Sequence, residues 1–337
     1  MRTLGIVSSL IALAVAVPGT AAATTTACTW GTTALPVPPG ANQFSITVDA
    51  TDHNGGWAGK ASITNDRDHV FSWKNGVLTD QGRTPMAPGQ TILTQAKVAD
   101  ENRSGTILVN LFVSPYQMIH PPYLVRSGQW QALGLLPGAT WWDAVGINDA
   151  GDVLGWNNVV RNGKSVSVVV RWPAGQTTPV EVPGIPLESR AIDLDEDGTM
   201  LVGVRSPTTG AYVPNILRNG TLTQLPALPH SDDIEAAQIS NGRIIGTTHL
   251  NSGYIGTVWE PNLTPRTLSG SADGRLINRD ALAIGRRSGS GVSYGVWRIG
   301  TLEFTFGSAD NITFGAISDD GSFAATRNYL PTVWRCA

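Results

Sequence analysis

Charge, cysteine and helical patterning are all scarce in this chain. Only 15% of its 337 residues are charged, and 23 Lys and Arg stand against 26 Asp and Glu, a net of −3. No basic stripe breaks that balance, which argues against nucleic acid as a partner. Two cysteines, Cys28 and Cys336, are too few for a disulfide-dense scaffold or a zinc ribbon. No stretch repeats apolar residues at the spacing of an amphipathic helix. Past the first residues, no run approaches the roughly 20 apolar residues of a membrane span. Phosphate loops, HExxH helices and paired CxxC motifs are missing too.

Glycine (38), proline (21) and tryptophan (11) are plentiful, the composition of many short strands joined by tight turns. The N-terminus reads Met1, Arg2, an apolar run from Leu4 to Val17 and then Ala21-Ala22-Ala23, the pattern of a secretory signal. Residues 1–23 are therefore expected to be removed, leaving a secreted, extracellular domain over 24–337. A lipoprotein reading of Cys28 fits less well, because Thr25 stands where a large aliphatic residue belongs.

One phrase organises the rest. From Asp143 the chain reads DAVGINDAGDVLGW, then SVSVVVRW, then TTPVEVP. Its core recurs as TDHNGGWAG from Thr51, LDEDGTMLVG from Leu194, ISNGRIIG from Ile239, INRDALAIG from Ile277 and ISDDGSFAA from Ile317. The loosest copy, VADENRSGTILV, surrounds Asp100. The turn residues Gly55, Gly105, Gly151, Gly198, Gly242, Ala281 and Gly321 are spaced by 50, 46, 47, 44, 39 and 40, a period that marks propeller blades or a solenoid. Each copy parses into four strands, in the third copy Ala144 to Asn148, Asp152 to Asn157, Ser165 to Trp172 and Thr178 to Val182. A second anchor closes the third strand, Trp73, Trp172, Trp259, Trp297 and Trp334, with Leu124 and Leu217 in the second and fourth copies. These tryptophans are read as packing between blades.

The reading is an all-β, seven-bladed β-propeller with four-stranded blades, the repeats covering about 41–89, 90–137, 138–185, 186–229, 230–268, 269–307 and 308–337. The last copy stops after its third strand, at PTVWRCA, and the segment at about 31–38, TTALPVP, matches the fourth strand TTPVEVP of the third copy. The N-terminal strand is therefore expected to complete the last blade. Cys28 and Cys336 then meet at adjacent strand ends and form a disulfide.

The phrases GINDAGDVLGW with VVVRW, and ISNGRIIG with TVWEP, resemble the HAF-repeat family of secreted bacterial proteins over roughly residues 45 to 335. The resemblance implies an extracellular propeller-like repeat protein. It assigns no reaction, cofactor or catalytic residue.

Antiparallel blades place the loops entering the innermost strands, and those between second and third strands, on one face of the ring. That face is expected to carry candidate ligand-binding residues Trp141, Trp142, Arg190, Tyr254 and Asp310, with Trp156, Glu188, Asp273, His120 and Tyr123 beside them. Aromatic platforms and acidic groups suit a sugar or a cationic ligand, and the competing account is that the tryptophans plug the channel or cover a blade edge. His230 with Asp232 and Asp233, joined by His249, is the candidate acid–base cluster. Asp193, Asp195 and Asp197 open like a calcium loop, although Val204 and Leu201 stand where a closing acid is needed. Apart from that possible calcium no cofactor is called for. Gly291-Val292-Ser293-Tyr294-Gly295 spells a nucleophile elbow without its strand-to-helix context. Two functions follow. One is a monomeric, non-enzymatic binding or scaffold protein that presents a face to a glycan, peptide or envelope component; the other is a lyase or hydrolase acting at the channel mouth, with or without a divalent cation.

Overall fold

The computed structural model describes residues 28–86, 94–112, 120–289, 293–307 and 311–336. The signal segment, Asp310, and Gly291 and Val292 of the GxSxG run lie outside the described residues. Among those described, 28 strands form seven four-stranded antiparallel sheets. Their innermost strands are Thr47–Thr51, Gln95–Glu101, Ala139–Ile147, Ser189–Leu194, Ser231–Ser240, Leu276–Ile277 and Ile312–Ile317. Each packs beside the next and the last returns to the first, so the sheets close a ring. The loosely repeated second copy forms a complete blade, Gln95 through Ala132.

The strands are longer than the sequence phrase implies. In blade three the first three run Ala139–Ile147, Val153–Arg161 and Lys164–Trp172, and the outer one shrinks to Val180–Glu181. In the second strand Val153 to Asn157 are all buried, and the extension beyond them alternates, with Val159 buried between half-buried Asn158 and exposed Val160, as a strand pleat with one solvated side requires.

Ring closure follows the expected exchange. Trp30–Ala34 pairs antiparallel with Leu330–Cys336, Trp30 opposite Cys336, as the fourth strand of blade seven. Cys28 and Cys336 are bonded, with Cα atoms 5.4 Å apart and a sequence separation of 308. Blades seven and one approach closely at their innermost strands: a Cβ on Gly315 would lie 1.3 Å from the Val48 carbonyl oxygen, so only glycine fits there.

The tryptophan anchors do pack between blades, and they also bond across them. Trp73, Trp172, Trp259 and Trp297 are essentially buried. Their indole N–H groups donate to the carbonyls of Pro36, Gly134, Pro226 and Ser269, at 2.8, 2.8, 2.7 and 2.9 Å, each on the segment that ends the preceding blade. A buried indole needs such a partner, so these positions favour tryptophan over phenylalanine. In blade two the anchor is Val125 rather than Leu124: Val125 is fully buried and pairs with Ile107, as Trp172 pairs with Val153, whereas Leu124 lies on the opposite side of the pleat.

Candidate functional site

Three regions of the ring carry chemistry: a turn-lined mouth, the channel, and the opposite face. The mouth is built by the turns joining first and second strands. Their second residues are His53, Arg103, Asp149, Glu196, Asn241, Arg279 and Asp319 in blades one to seven. Arg103 pairs with Asp149 of the neighbouring blade and reaches Asp319 of blade seven at 2.8 Å. His53 of blade one lies 3.5 Å from Glu196 of blade four, so the pair spans the axis. Burial pushes the Glu196 carboxyl up to about 7 and holds His53 below its usual value. A cavity of about 150 Å³ remains among these groups.

Behind the mouth the channel holds a cavity of about 200 Å³ lined by the innermost strand of every blade. Six of those strands carry a β-bulge at the same level, and the bulged residues, Asp49, Ala99, Val145, Ile192, Ala237 and Gly315, all face the cavity. A bulge turns one extra residue toward the axis without ending the ladder. Next to the bulge, Asp100 accepts from the Ile147 amide, Asp193 from the Ile239 amide and Gln238 from the Ile277 amide, each at 2.8 Å and each in the following blade. Burial raises Asp49 to about 6, Asp100 to about 7 and Asp193 well above the ordinary carboxylate range.

These bonds change the reading of Asp193, Asp195 and Asp197. Asp193 also accepts from the Leu194 amide at 2.9 Å, and Asp195 takes the Asn241 and Gly242 amides at 2.8 and 2.6 Å. Asp197 accepts from Thr199 at 2.8 Å. Asp193 and Asp195 thus fasten blade four to blade five and Asp197 shapes the turn, rather than the three converging on a calcium ion. Among the described residues no group of three His, Cys, Asp or Glu side chains is arranged to hold a metal.

The proposed acid–base cluster is not assembled either. His230 is exposed, has φ +63°, and sits third in a turn closed by the Ser231 amide on the Leu228 carbonyl at 3.2 Å. Leu136 to Ala139 makes the same turn with Gly138 in that place, φ +76°. The geometry demands a positive φ, and His is one of the few side chains besides Gly and Asn that tolerate it. No ion pair joins His230 to Asp232 or Asp233. His249 stands opposite Asp233 in the ladder, but its carboxylate neighbour is Glu235, at 3.8 Å, and its ring packs edge-on against exposed Tyr254 with centroids 4.4 Å apart.

On the face opposite the mouth, Trp142 is buried and donates to the His120 carbonyl at 2.8 Å, a contact between blades three and two, so it is structural. Asp273 is likewise internal, held by Arg275 and Arg286 at 3.1 and 2.6 Å. Glu188 pairs with Arg205 at 3.2 Å. What faces outward is Trp141, half-buried beside Trp156, with Arg190, Tyr212 and Tyr254. The Arg190 guanidinium carbon lies 4.9 Å from the Trp156 ring centre and 4.7 Å from that of Tyr212. Gly203, opposite Arg190 in the ladder, makes room for this: a Cβ there would come within 3.2 Å of Tyr212 Cβ.

Of the expected binding residues, Trp141, Arg190 and Tyr254 thus share one outer face, and Trp142 does not reach it. Sequence reading missed the charged mouth altogether. Its signal was the variable second residue of the repeated turn, where seven copies offer His, Arg, Asp, Glu, Asn, Arg and Asp.

No protein-family model and no curated protein matches this sequence. Solved structures do share its fold. A prolyl endopeptidase superposes with a TM-score of 0.57 at 11% identity, over 84% of this chain and 47% of that one, so the chain spans about half of the peptidase's length. Prolyl oligopeptidase B from Galerina marginata gives 0.54 at 10% identity, over 88% and 47%. An oligogalacturonate lyase from Vibrio parahaemolyticus gives 0.56 at 7% identity and is matched over nearly its whole length, 92% of this chain and 96% of that one. At such identities the likeness is one of fold: this chain is a seven-bladed β-propeller similar to those of the peptidases and the lyase.

Proposed function

We propose that this chain is an exported, non-enzymatic binding protein of the HAF-repeat kind that presents the face bearing Trp141, Arg190 and Tyr254 to an extracellular or envelope glycan. One observation carries the reading: blades three, four and five each carry aromatic side chains on that outer face, Trp141 and Trp156, Tyr212, and Tyr254, where flat rings can stack on sugar rings. The secretory pattern of residues 1–23 and the Cys28–Cys336 bond support export. The lyase or hydrolase reading is less well supported, because His230 and its neighbouring acids form no acid–base pair.

The test is glycan pull-down with purified protein and a Trp141→Ala/Tyr254→Ala variant. We expect binding to be lost in the variant. Undiminished binding would remove this face from the reading, and turnover of sugars or lactones in a screen run with and without chelator would replace it with the enzymatic one.

A further inference from the structure

Blades three and four contain five arginines, and four of them are paired. Arg161 meets Glu181, Arg171 meets Asp152 at 2.9 Å, Arg205 meets Glu188 at 3.2 Å, and Arg218 donates to Thr199 at 3.1 Å. Arg190 is the exception. It is exposed, it rests on Trp156 and Tyr212, and no carboxylate or carbonyl among the described residues accepts from it. Aromatic faces attract a guanidinium but offer no lone pair, so they hold the group in place and leave its N–H fork without an acceptor. Glu188, two residues away and chemically able to pair with it, is turned to Arg205 instead.

A guanidinium oriented this way has already lost part of its rotational freedom before any ligand arrives, which lowers the cost of binding a planar anion. The half-buried Trp141 ring belongs to the same apolar cluster as Trp156, so a stacking surface lies beside the fork. We infer that Arg190 is the anchor for the carboxylate of an acidic saccharide, a uronic acid unit whose ring stacks on the adjoining aromatic surface. The inference rests on the glycan-binding reading above and narrows it to carboxylated sugars.

Calorimetric titration with oligogalacturonate, with its fully methyl-esterified counterpart and with inorganic sulfate separates the possibilities. We expect the acid to bind the wild-type chain at least roughly tenfold more tightly than the ester, as a charge-assisted bidentate contact implies. Arg190→Gln should abolish that difference while still binding the ester, which shows that the variant is folded. Arg190→Lys should restore only part of it, since an ammonium lacks the fork. Equal wild-type affinity for acid and ester overturns the role of Arg190 and leaves the glycan reading standing. Sulfate displacing the acid at concentrations equal to those of free galacturonate shows a bare anion site and overturns the saccharide assignment. No binding of either saccharide overturns the uronic acid assignment, and the glycan pull-down then decides the broader reading separately.

Discussion

Removing the disulfide is the most direct perturbation of the ring. The bond joins positions 308 apart, and the loss of unfolded-chain entropy on closing so long a loop corresponds to about 5 to 6 kcal/mol. A domain of this size melts with an entropy of about 0.65 kcal/mol per kelvin, from ~2.1 cal/mol/K per residue, so Cys28→Ser should lower the melting temperature by about 8 °C. The contacts that remain set where the ring opens. Trp30–Ala34 touches the sheet through one neighbour, Leu330–Cys336, and is otherwise held by Trp30 against Phe323, 5.1 Å between ring centres, by Leu35, and by the Trp73 bond to Pro36. Hydrogen exchange in the variant should therefore accelerate first at the amides of Trp30–Ala34 and Leu330–Cys336. Paired calorimetric scans of the wild type, with and without reductant, and of Cys28→Ser supply the measurement. A shift under about 2 °C, or first opening in another blade, would refute the staple.

The structure makes two further predictions. His230→Gly should leave stability unchanged or raise it by up to about 1 kcal/mol, because the turn requires φ > 0 and Gly138 already fills the equivalent place; a loss above about 1 kcal/mol in urea denaturation would show that the imidazole makes a contact of its own. Stability should fall as pH rises from 5 to 8, since burial raises Asp49 to about 6, Asp100 and Glu196 to about 7, and Glu101 to about 8. The folded chain then holds protons that the unfolded chain has released above about pH 4, and that advantage disappears as pH passes each folded value. His53, held low by burial, works in the opposite sense, while Asp52 and Asp273, also lowered, act only below this window. A urea midpoint higher at pH 8 than at pH 5 would contradict the assignment, and Asp100→Asn, whose amide oxygen can still accept from Ile147, should flatten the dependence.

The architecture was legible in the sequence because propeller blades repeat. Periodic turns, alternating strands and closing tryptophans are local features, and the one missing strand had a visible counterpart at the other end of the chain. That was enough to give the blade count, the strand exchange and the Cys28–Cys336 pair. The site was less legible, because partners lie one blade or half a ring away. Asp193 and Asp195 look like metal ligands until the amides of Ile239, Asn241 and Gly242 are seen beside them. His230 looks like a base until its backbone conformation explains it. Trp141 and Trp142 are neighbours in sequence, yet the strand pleat sends one toward solvent and the other into the seam with blade two.

What the sequence by itself determined is therefore the repeating unit and how many times it occurs, since strand period and turn chemistry are properties of short segments. What only the tertiary structure decided is which polar side chains are already satisfied and which are not. That depends on contacts made only in the folded ring, some between neighbouring blades, such as the Asp193 bond to the Ile239 amide, and some within one blade, such as the pairing that occupies Glu188 and leaves Arg190 open.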